Sequence, residues 1–251
     1  MELANLTWTD VDALDRDIPV VIPIAALEQH GRHLPLFTDS ILTSEIARRA
    51  HEALKEHILL VPLMWLGNSH HHMDFPGTVS AQPRVWIDLL HGIVDNFITH
   101  GFHRIVVING HGGNDVPGRQ AMFEIRQRYR DRDDLLLLFV AYWNLVDPSA
   151  RMPELQQREM GHACEWETSM ILRLAPGLVK SHKDMPEIQF GNPFLPAQRA
   201  WIMPDRSGPG HIGAPGLATP EKGEQLLQLF ADGLVEFLRR VLRWDGHSWE
   251  G

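Results

Sequence analysis

The sequence predicts an α/β protein, a single-domain three-layer α/β/α fold with a mostly parallel central sheet. Four short segments dense in aliphatic and β-branched residues begin at Ile18, Ile58, Arg104 and Asp134. They are apolar on both faces, as parallel strands covered by helices are. Because segments of helical periodicity alternate with them, right-handed crossovers and a sheet covered on both sides are expected.

The helical segments have recognisable ends. Pro83 and Pro220 stand where a first helical turn tolerates proline, because the backbone N–H groups there lack a helical partner. Thr219 is a suitable N-cap for the last helix. Helices are predicted over about residues 40–57, 83–100, 117–129, 167–174 and 219–244.

Residues 175–218 differ from the rest, since they are rich in Pro and Gly and show little periodicity. Long ordered loops of this kind are usually functional or interfacial. A monomer would leave the apolar side chains of this segment in water, so we expect a homo-oligomer that buries them. The alternative is a lid over the chain's own sheet. The apolar side chains are Phe190, Phe194, Leu195, Trp201, Ile202 and Met203. One domain is expected over residues 1–251.

Composition excludes several classes of protein. With 44% hydrophobic and 22% charged residues among 251, the chain resembles globular proteins with a sizeable core. A formal charge of −9 argues against nucleic-acid and membrane partners and favours a small neutral or cationic substrate. Cys164 is the single cysteine, so no intramolecular disulfide is possible. The first residues lack a targeting pattern and no run is membrane-spanning, so a cytoplasmic location is expected.

The segment after the first predicted strand, "PIAALEQHGRHLPLFTD", carries metal-type ligands. Glu28 and His30 point to one face if the strand continues, and Asp39 lies where the next helix begins. This mixture of carboxylates and imidazole suits Zn²⁺, Mn²⁺ or Fe²⁺ better than Ca²⁺. The alternative is that Asp39 only caps a helix and Glu28 pairs with Arg32.

Three further clusters contain the same residue types. "NGHGGND" places His111 at the end of the third strand, where glycines let backbone approach a ligand. "GHACEWETS" supplies His162, Glu165 and Glu167, although first-turn carboxylates are also favoured by the helix dipole alone. "HHHMDFPGT" holds three consecutive histidines, of which we expect one, His72, to face the site. Ligand sites of open α/β sheets lie beyond the carboxyl ends of the strands, where these clusters fall.

These motifs together resemble the creatininase family of metal-dependent amidohydrolases. "LEQHGRHLPLFTD", "HHHMDFPGTVS", "VVINGHGGN", "HACEWETSMIL" and "ATPEKGEQLL" occur in the family's order and roughly its spacing. The resemblance implies a creatininase-like fold, a two-metal site at the strand ends and hydrolysis of a C–N bond other than a peptide bond. It also implies a hexamer.

The resemblance assigns roles to individual residues. Glu28 and His111 would bind one metal ion, His30 the other, and Asp39 would bridge both. His162, oriented by Glu167, would protonate the departing nitrogen; the alternative for His162 is orientation of Glu165. Residues expected to contact substrate are His72, Gly112, Gly113, Asn114 and Trp143.

The chain also departs from the family pattern. Creatininases proper have Tyr-Glu in place of Gly112-Gly113, and that Glu is a metal ligand, so Glu165 is expected to replace it. They also have an aromatic lid in place of "QQRE", residues 156–159. Both differences argue against flat creatinine as the substrate. Other branches deformylate a pyrimidine nucleotide intermediate, trim a peptide-derived cofactor or open an oxidised inositol ring.

The function predicted from the sequence is therefore a binuclear amidohydrolase. Two divalent ions (Zn, Mn or Fe) would activate water against an amide, formamide or cyclic amide of a small polar molecule. Backbone N–H groups of Gly112 and Gly113 would bind the oxyanion. Two alternatives remain: hydrolysis of a C–C bond in a cyclic polyol diketone, and a non-enzymatic small-molecule binder.

Overall fold

The computed structural model describes residues 1–189 and 191–249, and its centre is a parallel sheet. The strands are β1 (Val20–Ile24), β2 (Leu59–Leu60), β3 (Arg104–Asn109) and β4 (Leu136–Ala141). Their order across the sheet is β2-β1-β3-β4, and each neighbouring pair is parallel. All four strands begin within or close to the segments predicted from the sequence.

Helices connect and flank these strands. The helices are α1 (Trp8–Asp12), α2 (Thr38–Leu54), α3 (Pro83–Thr99), α4 (Asp115–Arg128), α5 (Glu165–Leu174), α6 (Met203–Arg206) and α7 (Pro220–Arg243). The side chain of Thr219 accepts a hydrogen bond from the backbone N–H of Lys222, so it caps α7 as predicted. The short helices α1 and α6 were not predicted. Helix α5 begins two residues before its predicted start, which matters at the site.

Two hydrophobic clusters lie on opposite faces of the sheet. Val21, Val106 and Ile108 belong to the cluster that includes residues of α2, α5 and α7. Ile22 and Val107 belong to the other, which includes residues of α3 and α4. Neighbouring strand residues thus alternate between the two cores, as side chains on a strand must. This arrangement confirms the predicted three-layer α/β/α fold.

The long segment 175–218 divides its apolar residues between inside and outside. Met203 is completely buried and Trp201 is half-buried, whereas Phe194 and Leu195 are 60% and 74% exposed. Phe190 lies outside the described residues. No helix within the described ranges, 1–189 and 191–249, is long and apolar enough to cross a membrane.

Candidate active site and metal centre

A cavity of about 580 Å³ opens at the carboxyl ends of the strands. This is the edge where ligand sites of open α/β sheets form. Its walls come from loops that follow all four strands and from residues 199–212. The lining residues used below are Glu28, Asp39, His71, His72, His111, Gly112, Gly113, Trp143, His162, Glu167, Arg199, Trp201 and Arg206.

The loop after β1 holds its polar residues by backbone contacts. The N–H of Glu28 donates to the carbonyl of Leu36 at 3.0 Å, and the N–H of Leu34 donates to that of His30 at 3.3 Å. Asp39 is in the first turn of α2. Glu28, His30 and Asp39 are at most 4% exposed, and one ligand atom from each lies within 4.8 Å of the others.

Asp39 stands between two imidazoles. Its Oδ1 is 2.9 Å from Nε2 of His30, and its Oδ2 is 3.0 Å from Nδ1 of His111. Nδ1 of His111 is also 3.3 Å from Oε1 of Glu28. The two oxygens of one carboxylate therefore serve two separate groups of ligand-type atoms.

The far nitrogen of each imidazole is fixed by a backbone carbonyl. Nε2 of His111 is 3.0 Å from the carbonyl of Asn68, and Nδ1 of His30 is 3.1 Å from that of Glu28. A carbonyl oxygen only accepts, so these far nitrogens carry the hydrogen. In a neutral ring the near nitrogen then presents a lone pair to the carboxylates, which is the arrangement of metal-binding histidines.

Glu167, and not Glu165, joins this group. Oε1 of Glu167 is 3.6 Å from Nε2 of His30. Glu165 instead forms an ion pair with Nζ of Lys222 at 2.6 Å, and its other oxygen accepts the N–H of Gln157 at 2.7 Å. Both glutamates lie in α5, where residues two apart point about 200° away from each other. The expectation that Glu165 replaces the missing ligand is therefore corrected.

The buried charges shift one another's pKa values. Burial opposes ionisation of Glu28, but the neighbouring His111 and His72 outweigh it and hold the pKa of Glu28 well below its usual value. Burial likewise opposes the charge on His111, yet the carboxylates of Glu28 and Asp39 raise its pKa to about 10. The pKa of Glu167 is raised, chiefly by burial. The group as a whole strongly favours a positive charge between its carboxylates.

His162 borders the same group from the loop before α5. Its Nε2 is 2.8 Å from the carbonyl of Gln29 and therefore donates, which leaves Nδ1 as an acceptor 3.6 Å from Oε1 of Glu28. Burial and the nearby His30 hold the pKa of His162 well below its usual value, so the ring is neutral. In the described part of the chain no hydrogen bond or ion pair joins Glu167 to His162. The carbonyl of Gln29, and not Glu167 as predicted, orients this ring.

Gln29 is a positioning residue that the sequence did not predict. Its Oε1 accepts the N–H of Gly31 at 2.9 Å, which fixes the orientation of the amide. Its Nε2 then donates to Nδ1 of His72 at 2.7 Å and to the carbonyl of Gly210 at 2.8 Å. His72 consequently carries its hydrogen on Nε2, 3.4 Å from Oε1 of Glu28. Between two ligand-type residues, a single Gln gives no pattern by which its role can be recognised.

Two of the three consecutive histidines line the cavity. His72 does so as predicted, but the ring of His71 also stacks on His111 with centroids 5.8 Å apart. His70 turns away, with its Nδ1 2.7 Å from the hydroxyl of Ser80. The expectation of a single inward histidine is therefore corrected, because the rings of His71 and His72 lie against each other at the cavity, with centroids 4.2 Å apart.

Among the residues expected to contact substrate, Gly112, Gly113 and Trp143 line the cavity. Asn114 does not, and this expectation is corrected. Its Oδ1 accepts the N–H of Asn68 at 2.9 Å and its Nδ2 donates to the carbonyl of Ala25 at 3.0 Å. Both functional atoms are used to hold two loops together, so none remains for a ligand.

The segment 199–212 supplies a wall of the cavity whose residues the sequence did not predict. Trp201 packs edge-on against His71 with centroids 5.1 Å apart, and Arg206 lies over the ring of Trp201 at 4.9 Å. Arg199 also borders the cavity. Part of the long loop therefore covers the site, as in the alternative of a lid over the chain's own sheet.

Comparison with known proteins places this fold and site in one class. The family model for creatinine amidohydrolase matches residues 4–238. The creatinine amidohydrolase of Pseudomonas putida is 28% identical over 94% of this chain and 95% of its own length. A mycofactocin precursor peptide peptidase of Mycobacterium tuberculosis is 30% identical over 97% and 91%. A 3-dehydro-scyllo-inosose hydrolase of Thermotoga maritima is 25% identical over 89% and 77%.

Solved structures agree with these relatives. A creatinine amidohydrolase superposes with a TM-score of 0.83 at 26% identity, over 97% of this chain and 98% of that chain. Among the similar structures one is described as creatininase with Mn and another as of Zn-Zn type, with TM-scores of 0.83 and 0.81. The fold and the buried carboxylate–imidazole cluster thus define a metal-dependent hydrolase that acts on carbon–nitrogen bonds. Within that class, the chain belongs to the creatininase family.

Proposed function

We propose that this protein is a binuclear amidohydrolase that cleaves an amide, formamide or cyclic amide bond of a small polar substrate. The observation that carries the proposal is the position of Asp39. Its two oxygens are 2.9 and 3.0 Å from nitrogens of two different histidines, His30 and His111. A carboxylate shared in this way is suited to bridge two ions.

The residues present fit two divalent ions. Glu28, Asp39 and His111 would hold one ion, while His30, Asp39 and Glu167 would hold the other. Oε2 of Glu28 and Oε2 of Glu167 are buried without a hydrogen-bond partner, an arrangement that is costly unless a cation satisfies them. Oxygen and imidazole donors suit Zn²⁺, Mn²⁺ or Fe²⁺.

When bound, such ions would polarise the substrate carbonyl and lower the pKa of the attacking water. His162 then moves the proton. Nδ1 of this neutral ring accepts it from the water and returns it to the departing nitrogen, while the carbonyl of Gln29 keeps the ring in the required tautomer. The N–H groups of Gly112 and Gly113 at the cavity wall donate to the oxyanion.

A second candidate is hydrolytic ring opening at a C–C bond. The relative from Thermotoga maritima, an inosose hydrolase, favours it. The same residues would act on a ketone, and His162 would protonate a carbon in place of a nitrogen. The two functions therefore differ in the substrate and not in the ligands.

Elemental analysis tests the metal site. We expect about two ions per chain after mild purification. Asp39→Ala should lose both because it removes a ligand from each, whereas His30→Ala should lose mainly one. Asp88→Ala, on the exposed surface of α3, is the control and should retain both. If Asp39→Ala retained its full metal content, Asp39 would not be a metal ligand and the bridged site would be excluded. Asp39 would then have a role only in the first turn of α2.

Substrate profiling tests the reaction. Release of amine or formate from cyclic amides and formamides would support the proposed amidohydrolase activity. The His162→Ala variant should lose this activity while its metal content stays unchanged. Turnover of inososes alone supports the second candidate. Creatinine should be a poor substrate, because Gly112, Gly113 and residues 156–159 supply no aromatic clamp for a planar ring. Full metal content without turnover of any of these compounds would favour a non-enzymatic binder.

A further inference from the structure

Two arginines stand at the cavity without carboxylate partners. Arg206 is half-buried, Arg199 is exposed, and both line the wall formed by residues 199–212. Among residues 1–189 and 191–249, no carboxylate forms an ion pair with either guanidinium group. The adjacent Asp205 is directed elsewhere, since its Oδ2 accepts the N–H of Ile202 at 3.0 Å.

Arg206 is held in place by an aromatic contact. Its guanidinium lies 4.9 Å from the ring centre of Trp201, and Trp201 in turn packs edge-on against His71. A guanidinium stacked on indole keeps its planar fork of N–H groups free for a ligand. Burial alone lowers the pKa of Arg206, so the group is partly desolvated without compensation by an anion.

The contacts also give the relative position of this cation. His71 stacks on His111 at the base of the cavity. Trp201 packs against His71, and Arg206 packs against Trp201. Two rings, those of His71 and Trp201, therefore stand between His111 and Arg206, and all four residues line the same cavity. A substrate that occupies this cavity can place its reacting carbonyl at the base and another group at Arg206.

We propose that the substrate carries an anionic group, a carboxylate or a phosphate monoester, that Arg206 binds at the cavity wall formed by residues 199–212. This inference rests on the proposed function, because it names the substrate class of the same site. Arg199 adds a second, more exposed positive charge at that wall. The net charge of −9 alone favoured a neutral or cationic substrate, but a local pair of unpaired arginines determines the field inside a cavity more than the distant surface does.

Binding of unreactive analogues tests the proposal independently of turnover. Sulfonamides imitate the tetrahedral intermediate and contain no acyl C–N bond. We would compare N-methylsulfonyl-β-alanine with N-(3-hydroxypropyl)methanesulfonamide, a neutral molecule of the same chain length, by calorimetry on the metal-containing protein. A third probe, N-(2-phosphonooxyethyl)methanesulfonamide, distinguishes phosphate from carboxylate by which anion binds more tightly.

The protein should bind at least one anionic probe about 10-fold more tightly than the neutral one, as expected for hydrogen bonds to a charged group. Arg206→Met should reduce this preference to near unity and leave affinity for the neutral probe unchanged. Arg206→Lys should retain part of it, and Arg199→Met should have a smaller effect. Arg84→Met, which removes an exposed arginine outside the cavity lining, should behave like the unsubstituted protein.

Equal affinity for charged and neutral probes would overturn the proposal, as would an unchanged anion preference in Arg206→Met with normal metal content and thermal stability. The proposed function fails in a different way. Suppose that the protein binds the anionic probe through Arg206 but hydrolyses no C–N bond. That result would support the anion site and contradict the proposed amidohydrolase function.

Discussion

At the scale of single residues, the site depends on side chains that fix the orientation of others. Gln29 is not itself a proposed metal ligand, yet its side-chain amide fixes the tautomer of His72, and its backbone carbonyl fixes that of His162. Both rings face Oε1 of Glu28 at 3.4 and 3.6 Å. Such outer contacts set which nitrogen carries a proton and so determine what each imidazole can do.

The glycine at position 113 illustrates a steric requirement. A Cβ there would be 2.2 Å from the carbonyl oxygen of Asn68 and 2.5 Å from Nε2 of His111, whereas a Cβ at Gly112 would meet nothing within 4 Å. A glutamate ligand at position 113 therefore has no room while His111 donates to Asn68. The second ion of the proposed site would instead be held by a carboxylate of α5, that of Glu167.

These distances predict a contrast between two neighbouring substitutions. Gly113→Ala should destabilise the protein by about 1–3 kcal/mol, the usual cost of overpacking, because backbone has to move. Gly112→Ala should be near neutral. Thermal unfolding of both variants measures the difference, and metal analysis should show a loss in Gly113→Ala only. Equal unfolding temperatures for the two variants would contradict the close packing inferred at Gly113.

At the scale of elements, helix α5 connects the site to the body of the protein. One side of its first turn presents Glu167 to the cavity, and the other presents Glu165 to Lys222 of α7. Farther along, Arg173 of α5 and Arg49 of α2 both contact Glu224 of α7, at 2.6 and 2.8 Å. Three helices on one face of the sheet are thus joined at a single carboxylate.

This junction predicts a pH-dependent contribution to stability. The hydrogen bond from Arg49 first, and then that from Arg173, lowers the pKa of Glu224 from 4.5 to about 2. A carboxylate whose folded pKa is depressed stabilises the fold above its unfolded pKa, and this contribution is lost as pH falls from about 4.5 through about 2. Glu224→Gln should cost about 1 kcal/mol or less at pH 7, since the pair is partly exposed.

Urea unfolding at pH 7, 4.5 and 3 measures this contribution. The gap between the unsubstituted protein and Glu224→Gln should narrow as the pH falls. Glu236→Gln, on the same helix with arginine contacts of 3.8 and 3.9 Å, is the control and should change stability less at pH 7. A gap that stays constant from pH 7 to 3 would show that the carboxylate charge of Glu224 contributes nothing.

At the scale of the whole molecule, the segment 175–218 has two roles that the sequence presented as alternatives. Its second half turns Trp201 and Met203 towards the cavity. Its first half leaves Phe194 and Leu195 60% and 74% exposed, side by side. The second half of the segment therefore forms part of the wall that covers the cavity. The exposed apolar side chains of the first half still favour the predicted oligomer.

We expect the protein to assemble through that outward half. Light scattering at micromolar concentration should give a multiple of 28.6 kDa, and Leu195→Asp should lower the mass because a charge replaces a buried apolar contact. Val85→Asp, which is 61% exposed on α3 outside the segment, is the control and should leave the mass unchanged. A mass of one chain for the unsubstituted protein would contradict the assembly.

The sequence by itself determined the order of the four strands and of the five longer helices, because period and turn residues are local properties. It also determined which residue types gather at the strand ends, since parallel strands bring their carboxyl ends to one edge. Glu28, His30, Asp39 and His111 could be selected for this reason. Each follows a recognisable strand or begins a recognisable helix, so its place in the fold is set by chain order.

Only the tertiary structure decided which of Glu165 and Glu167 faces the site. A start of α5 at Glu165 and its packing against α7 set the rotation of the helix, and Lys222, 57 residues away in sequence, takes the other carboxylate. The same holds for Gln29, His71, Trp201 and Arg206, whose roles depend on neighbours distant in sequence. Local patterns report which way a segment folds, but the direction of a side chain within a site is fixed by the packing of segments against one another.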